Sequence, residues 1–167
     1  FSRAISRRRK EIYSVEMDGS NLQGLTNNGS INTMPAWAPG GGIFYTSFMN
    51  GWAQVFRLGR NQPILAEQGL NMGVAVAPGG GRMAVVVSRE GNSDIYLANL
   101  DGSGLQNITN HPAIDVSPTW SPDGSQLAFV SNRHGSPQIF VMSAGGGDAR
   151  RVTFAGSYNQ TPSWCPR

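Results

Sequence analysis

The chain has 167 residues, of which 22 are glycine, 10 are proline and only 14% are charged, a profile that suits one domain of short strands and tight turns. The net charge of +3 is largely local, since four basic residues adjoin at Arg7-Arg8-Arg9-Lys10. The chain therefore lacks the extended basic surface that would indicate nucleic-acid binding. The absence of an 18-residue apolar run excludes a transmembrane helix, and the single cysteine, Cys165, excludes an intrachain disulfide.

The chain begins in the middle of a repeated pattern. Phe1 matches a second strand, Ile12–Val15 matches a third strand, and the Asp18-Gly19-Ser20 turn leads to an outer strand that ends near Thr26. There is no initiating methionine and no signal-like apolar segment, so we expect a mature or excised portion of a protein.

Three further units follow in the same order. Each begins with an aromatic- or apolar-x-Pro anchor and continues through a Gly-rich turn, an apolar strand, a polar turn, a third strand and an outer strand. The anchors are Trp37-Ala38-Pro39, Val76-Ala77-Pro78, Trp120-Ser121-Pro122 and, at the chain end, Trp164-Cys165-Pro166. The prolines are spaced by 39, 44 and 44 residues, which is typical of β-propeller blades.

The predicted fold is therefore all-β: a propeller of about four four-stranded blades in a single domain, residues 1–167. The blades are placed at approximately 34–66, 73–109 and 117–153, with a split blade formed by 161–167 and 1–26. We expect the terminal strands to pair and close a monomeric ring, because closure removes exposed sheet edges. The alternative is a set of consecutive blades from a larger ring, which partner chains would close.

The tryptophans Trp37, Trp120 and Trp164 share one repeat position and are predicted to pack between blades. By the same alignment, the Arg7–Lys10 cluster is a hairpin tip. Three Gly-Gly-Gly triplets, at 40–42, 79–81 and 145–147, lie between predicted strands. No Gly-Lys-Ser/Thr sequence follows them, so phosphate binding is not indicated. No Gly-x-Ser-x-Gly sequence is present, and this argues against hydrolysis.

Five residues before each anchor stands a short amide or carboxylate side chain: Asn32, Asn71, Asp115 or Asn159. In a propeller these positions lie where one blade connects to the next, so they are candidates for a polar collar at the channel mouth. They are preceded by Ile31, Leu70, Ile114 and Tyr158, and followed by Thr33, Met72, Val116 and Gln160. An apolar rim beside polar groups is typical of a protein-binding patch, and His111 lies in the same connection.

A structural interpretation of the collar is also open, since Asn and Asp commonly satisfy the backbone of turns. Oxygen ligands at the channel mouth would suit a hard cation. Only Asp115 is charged, however, so the sequence predicts no metal and no other cofactor. The candidate partner-binding residues are Asn32, Thr33, Asn71, Met72, His111, Asp115, Tyr158, Asn159 and Gln160.

The strings Trp-Ser-Pro-Asp-Gly, Leu-Ala-Phe-Val-Ser-Asn-Arg and Gln-Ile-Phe-Val-Met within 120–142, with Arg-Arg-Val-Thr at 150–153, resemble the WD40-like repeats of the TolB family. The resemblance implies a periplasmic, non-enzymatic propeller that binds a protein, the lipoprotein Pal of the Tol–Pal system, without nucleic acid or membrane insertion. It departs from the family in two respects: the TolB propeller has six blades, and its N-terminal α/β domain has no counterpart here.

Two other hypotheses remain open from the sequence. Similar repeats occur in the propellers of prolyl-oligopeptidase-like enzymes, where the propeller would position substrate for a separate catalytic domain. The chain could also be an excised or engineered set of blades that closes or assembles.

Overall fold

The computed structural model describes residues 1–165, and these form fourteen β-strands in four antiparallel sheets without a helix. Sheet 1 contains β1 (Ser2–Ser6), β2 (Arg9–Ser14) and β3 (Gln23–Gly24), and sheet 2 contains β4 (Asn32–Trp37), β5 (Ile43–Ser47) and β6 (Gln54–Arg57). Sheet 3 contains β7 (Leu70–Val76), β8 (Arg82–Arg89), β9 (Asn92–Asn99) and β10 (Gln106–Asn107). Sheet 4 contains β11 (Asp115–Trp120), β12 (Gln126–Ser131), β13 (Gln138–Ser143) and β14 (Arg150–Arg151). The described residues therefore offer no helix that could cross a membrane.

The second strands of sheets 2 to 4 explain the apolar runs of the repeat. All of β5 is buried, as are Met83–Val87 of β8 and Leu127–Ser131 of β12. Such strands pack on both faces against neighbouring sheets and therefore lack polar–apolar alternation. The sheets contact one another in chain order, and this confirms the predicted all-β propeller architecture.

The first strand of sheets 2, 3 and 4 is broken by a β-bulge. The pairing register shifts between Thr33 and Ala36, between Met72 and Ala75, and between Val116 and Thr119. The residues at the bulges have positive φ: Met34 (52°), Gly73 (66°), Ser117 (55°) and, at the matching position of the last segment, Thr161 (55°). These four residues line a shared cavity of about 360 Å³, so the bulges mark the propeller axis.

The predicted closure of the ring is wrong for the described residues. Thr161–Cys165 forms no strand and does not pair with β1. The indole Nε1 of Trp164 instead donates to the Thr119 carbonyl at 3.2 Å, just as Trp120 donates to the Ala75 carbonyl at 2.9 Å. The last segment thus continues the arc beyond sheet 4 and does not return to sheet 1. Pro166 and Arg167, which the closure prediction also invoked, lie outside the described residues.

The predicted four strands per blade are found in sheets 3 and 4 only. Within residues 1–165, sheet 1 has no strand before β1. The outer strand of sheet 2 is reduced to a single bridge between Val55 and Leu65. The assignment of Phe1 to a second strand agrees with the structure, since Phe1 stacks on Tyr13 as Phe129 stacks on Phe140.

The tryptophans differ in burial because sheet 1 has no strand before β1 in the described residues. Trp120 is 9% exposed, whereas Trp37 is 69% exposed. In residues 1–165 no first strand of sheet 1 exists to cover Trp37 in the way that β7 covers Trp120. The prediction that Trp37 packs between blades is therefore wrong for this part of the chain. Arg7 and Arg8 form the exposed turn between β1 and β2, as predicted.

Candidate functional site

The collar residue of sheet 2 closes a polar network on sheet 1. The Asn32 Nδ2 donates to Glu11 Oε2 at 2.8 Å, and the Thr26 hydroxyl donates to the same oxygen at 2.6 Å. The Thr26 oxygen in turn accepts the backbone N–H of Ile12 at 2.9 Å. We call this arrangement of acceptor, hydroxyl and collar residue the latch. It ties the first strand of sheet 2, β4, to strand β2 of sheet 1 and to the residues that follow β3.

Sheet 4 carries the same latch with neutral groups. The Thr153 hydroxyl donates to Gln138 Oε1 at 2.7 Å, and Asn159 Nδ2 donates to that oxygen at 3.1 Å. The backbone N–H of Ile139 donates to the Thr153 oxygen at 2.9 Å. Asn159 therefore fixes the segment that follows sheet 4, and it is the one half-exposed member of the predicted collar.

In the latch between sheets 3 and 4, the acceptor and the collar residue are both carboxylates, Asp94 and Asp115, and the hydrogen bonds differ for that reason. The Thr109 hydroxyl still donates to Asp94 Oδ1 at 3.1 Å, but Asp115 has no proton to donate. Asp115, which is fully buried, pairs instead with Arg133 of its own sheet, at 3.0 Å from Oδ2 to Nη2. The Arg133 guanidinium also lies 4.9 Å from the centre of the Phe140 ring.

The latch of sheet 2 is incomplete. Ala66 stands where the other sheets have a threonine, and none of the described residues bonds Gln54 in the way that Thr153 bonds Gln138. Asn71 Nδ2 donates to the carbonyls of Glu67 at 2.7 Å and Gly69 at 3.3 Å. Its Oδ1 is buried without a hydrogen-bond partner.

The predicted collar is therefore buried in three of its four members: Asn32, Asn71 and Asp115 each have 0% exposure. Asn32 bonds to the sheet before it, Asp115 bonds to Arg133, and Asn71 bonds to the connection that precedes it. No collar side chain bonds another. The structure brings their neighbours closer to solvent. Ile114 and Tyr158 are 43% and 63% exposed and Gln160 is exposed, while Thr33 and Met72 are half-buried.

His111 lies half-buried in the connection to sheet 4. Its Nδ1 accepts the backbone N–H of Ala113 at 2.9 Å, and the backbone N–H of His111 donates to Asp94 Oδ1 at 3.2 Å. The imidazole therefore organises the connecting loop. Within residues 1–165, no group of three or more His, Cys, Asp or Glu side chains is placed to hold a metal ion.

Sequence reasoning missed the acceptors of the latch, which are Glu11, Asp94 and Gln138. A signal for them exists in the sequence, since each directly precedes the apolar Ile-Tyr or Ile-Phe run of its strand and stands 15 residues before its threonine. It also missed the bulges, although a proline follows the bulge residue at Met34-Pro35 and Ser117-Pro118, and Thr161-Pro162 stands at the matching position of the last segment.

The Glu11 carboxyl has a perturbed pKa. Burial raises this pKa, but the hydrogen bonds from Thr26, Arg9, Asn32 and the Gly29 backbone together outweigh burial and hold it below the ordinary value of 4.5. A lowered native pKa means that the charged carboxylate stabilises the fold above the unfolded-state pKa. This stabilisation is lost as the pH falls through the native pKa.

We therefore expect the unaltered chain to have a larger free energy of unfolding than Glu11→Gln. This difference should be complete at neutral pH and should shrink below pH 4.5. Glutamine is the native residue at this position in sheet 4, so the variant keeps the shape of the latch. Urea unfolding at a series of pH values measures the difference. Glu16→Gln, an exposed control, should stay within about 0.5 kcal/mol throughout, and a Glu11→Gln difference that grows in acid would contradict the expectation.

Comparison with known proteins places these features in a family. Residues 58–167 match the TolB beta propeller domain. The Tol-Pal system protein TolB of Anaeromyxobacter dehalogenans strain 2CP-C is 48% identical over 115 residues, which cover 66% of this chain and 26% of the relative. The protein TolB homolog of Chlorobium luteolum is 40% identical over 120 residues, with similar coverage. The chain thus spans about a quarter of the length of these curated relatives.

Solved structures show the same architecture. TolB from Acinetobacter baumannii superposes with a TM-score of 0.82 at 30% identity, over 92% of this chain and 40% of that one. A puromycin-hydrolyzing peptidase of Mycobacterium tuberculosis superposes with a TM-score of 0.69 over 89% of this chain and 27% of that one, but at 14% identity. That second likeness shows the fold alone. The family match extends over the larger part of the sequence, so the chain belongs to the TolB β-propeller domain family.

Proposed function

We propose that this chain is a non-enzymatic, periplasmic protein-binding propeller segment, and that its partner is a Pal-like lipoprotein of the Tol–Pal system. Membership of the TolB propeller family supports the proposal, as does the similarity to the Tol-Pal system protein TolB of other bacteria. The observation that carries it is a pair of exposed apolar side chains, Ile114 and Tyr158, at the same repeat position in successive connections between sheets.

The position of the patch follows from strand direction. Because the strands of each sheet alternate in direction, the connections between sheets lie at the same end as the turns between second and third strands. We call this the connection end. Ile114, Tyr158 and Gln160 lie on its surface, with Asn159 half-exposed among them, while Asn32, Asn71 and Asp115 support it from beneath.

The axis adds an apolar recess to this surface. Met34 is 49% exposed and shares the 360 Å³ cavity with Met72 and Val116. A recess lined by flexible methionines and rimmed by polar groups suits an inserted side chain or loop of a protein partner. The proposed contact residues are thus the exposed neighbours of the collar, and the collar itself positions them.

Replacing Ile114 by Glu together with Tyr158 by Ser should weaken binding of the periplasmic domain of Pal at least about tenfold, because both substitutions remove apolar area from the proposed contact. Isothermal titration calorimetry measures the affinity. The control is Met17→Glu, which alters a fully exposed apolar residue in the turn between β2 and β3, at the opposite end of the sheets.

Thermal unfolding should show that both variants keep the fold. Failure of the unaltered chain to bind Pal would contradict the proposal, and so would equal affinities for the double variant and the Met17→Glu control. Bulky residues at Asp115 are unsuitable for this test, because its side chain is buried and paired with Arg133.

A further inference from the structure

A second recess lies away from the axis, at the connection end between sheets 2 and 3. It has a volume of about 750 Å³, within the range of small-molecule sites. Three segments form its walls. The first is the turn after β5, which carries Trp52 and leads into β6 at Gln54, and the second is the connection 66–69. The third is the end of β8 with the turn after it, which contribute Arg89 and Glu90.

The incomplete latch of sheet 2 opens this recess. In sheet 4 the carboxamide of Gln138 accepts hydrogen bonds from Thr153 and Asn159 and is buried. In sheet 2 the matching threonine is Ala66, and the carboxamide of Gln54 lines the recess instead. Its Oε1 accepts from Asn50 at 2.8 Å, and none of the described residues accepts a hydrogen bond from its Nε2.

The opposite wall is held by hydrogen bonds and by a close backbone contact. Arg89 Nη2 donates to Glu67 Oε2 at 2.7 Å and its Nε donates to the Gln68 carbonyl at 3.2 Å, so the guanidinium is fixed at two points. Gly69 has φ of +95°, and a Cβ there would meet the Ser88 carbonyl oxygen at 1.9 Å. The connection is therefore pressed against β8, and only glycine permits this approach.

Trp52 supplies the one large apolar surface of the recess. Its side chain is 68% exposed although it lines the cavity, so the indole remains available to a ligand. An exposed indole combines an apolar ring with a polar N–H group. It stands in the same recess as an amide, a guanidinium and two carboxylates, a set that both donates and accepts hydrogen bonds.

The charges narrow the class of ligand. Arg89 and Glu67 neutralise each other, and the remaining carboxylate of Glu90 disfavours an anion. A neutral ring with several hydroxyl groups and one apolar C–H face matches all of these groups at once. From this juxtaposition we propose that the recess between sheets 2 and 3 binds a pyranose saccharide, which stacks on Trp52 and hydrogen-bonds to Gln54 and to the Arg89–Glu67 pair.

The test titrates the full chain with cellobiose, maltose and N,N′-diacetylchitobiose, and with lysyllysine as a cationic probe, by calorimetry and tryptophan fluorescence. At least one disaccharide should bind with a dissociation constant of about 1 mM or tighter. Trp52→Ala should weaken that binding at least about tenfold, and Gln54→Leu, which removes the amide at nearly constant size, should weaken it several-fold.

Trp37→Ala is the matched control, since Trp37 is equally exposed, at 69%, and lies outside this recess. It should leave the affinity unchanged, and the unfolding temperature of each variant should stay within a few degrees of that of the unaltered chain. The proposal is overturned if no disaccharide binds, if Trp52→Ala binds as well as Trp37→Ala does, or if lysyllysine binds more tightly than every disaccharide.

Discussion

Replacing Trp120 by Ala is expected to lower the free energy of unfolding by about 3–5 kcal/mol. Its ring is buried against sheet 3, within a cluster that includes Ala77, Leu97 and Phe129. Its Nε1 also donates to the Ala75 carbonyl at 2.9 Å, so the substitution removes a hydrogen bond between sheets as well as apolar contact. Denaturant unfolding followed by circular dichroism measures the loss.

Trp37→Ala provides a matched control, because Trp37 holds the same place in the repeat but is 69% exposed. Its substitution should change the free energy of unfolding by no more than about 1 kcal/mol. Equal losses for the two variants would show that Trp37 is covered in solution, and the packing described here would then be wrong.

Arg133→Met is expected to lower the free energy of unfolding by about 3–5 kcal/mol, because it leaves a buried carboxylate without its counter-ion. Asp115 is fully buried and the Arg133 side chain is 14% exposed, so water can hydrate the pair only slightly. Methionine keeps an unbranched stem over the Phe140 ring, where the guanidinium now lies. The main change is thus the loss of the positive charge and its hydrogen bonds.

The double variant Asp115→Asn/Arg133→Met separates charge from packing. Asparagine is the native residue at the other three latches, so it should fit the site without a counter-ion. We expect the double variant to be more stable than Arg133→Met alone in the same unfolding experiment. If the second substitution adds to the loss, the carboxylate is not the source of the instability.

The repeat alone was enough to predict the sheets, because a regular alternation of turns and apolar runs depends on local chemistry. It was not enough to predict closure. Thr161–Cys165 has the composition of a first strand, but the sheet with which it pairs depends on how many sheets complete the circle, and strand composition does not carry that information. The exposure of Trp37 follows from the same ambiguity.

The collar illustrates a different limit. Asn32 and Asn71 were predicted from a position in the repeat, and that position is indeed occupied by polar groups at every connection. Whether such a side chain turns outward or inward depends on its partners. For Asn32 the partner is Glu11 on a strand of the preceding sheet, and for Asn71 it is the Glu67 carbonyl in the connecting loop. The pattern predicted the connection end but not which residues reach its surface.

The edge of sheet 1 that β1 forms has a consequence for association between copies of the chain at high concentration. Within residues 1–165 no strand covers this edge, and such edges are templates for association between copies. Arg3 lies on β1, and Arg7 and Arg8 form the exposed turn at its end, so two copies that approach edge to edge repel each other. This protection depends on ionic strength, since the distance over which charges act falls from about 10 Å in 0.1 M salt to about 3 Å in 1 M salt. Concentrated salt therefore removes the repulsion that keeps these edges apart.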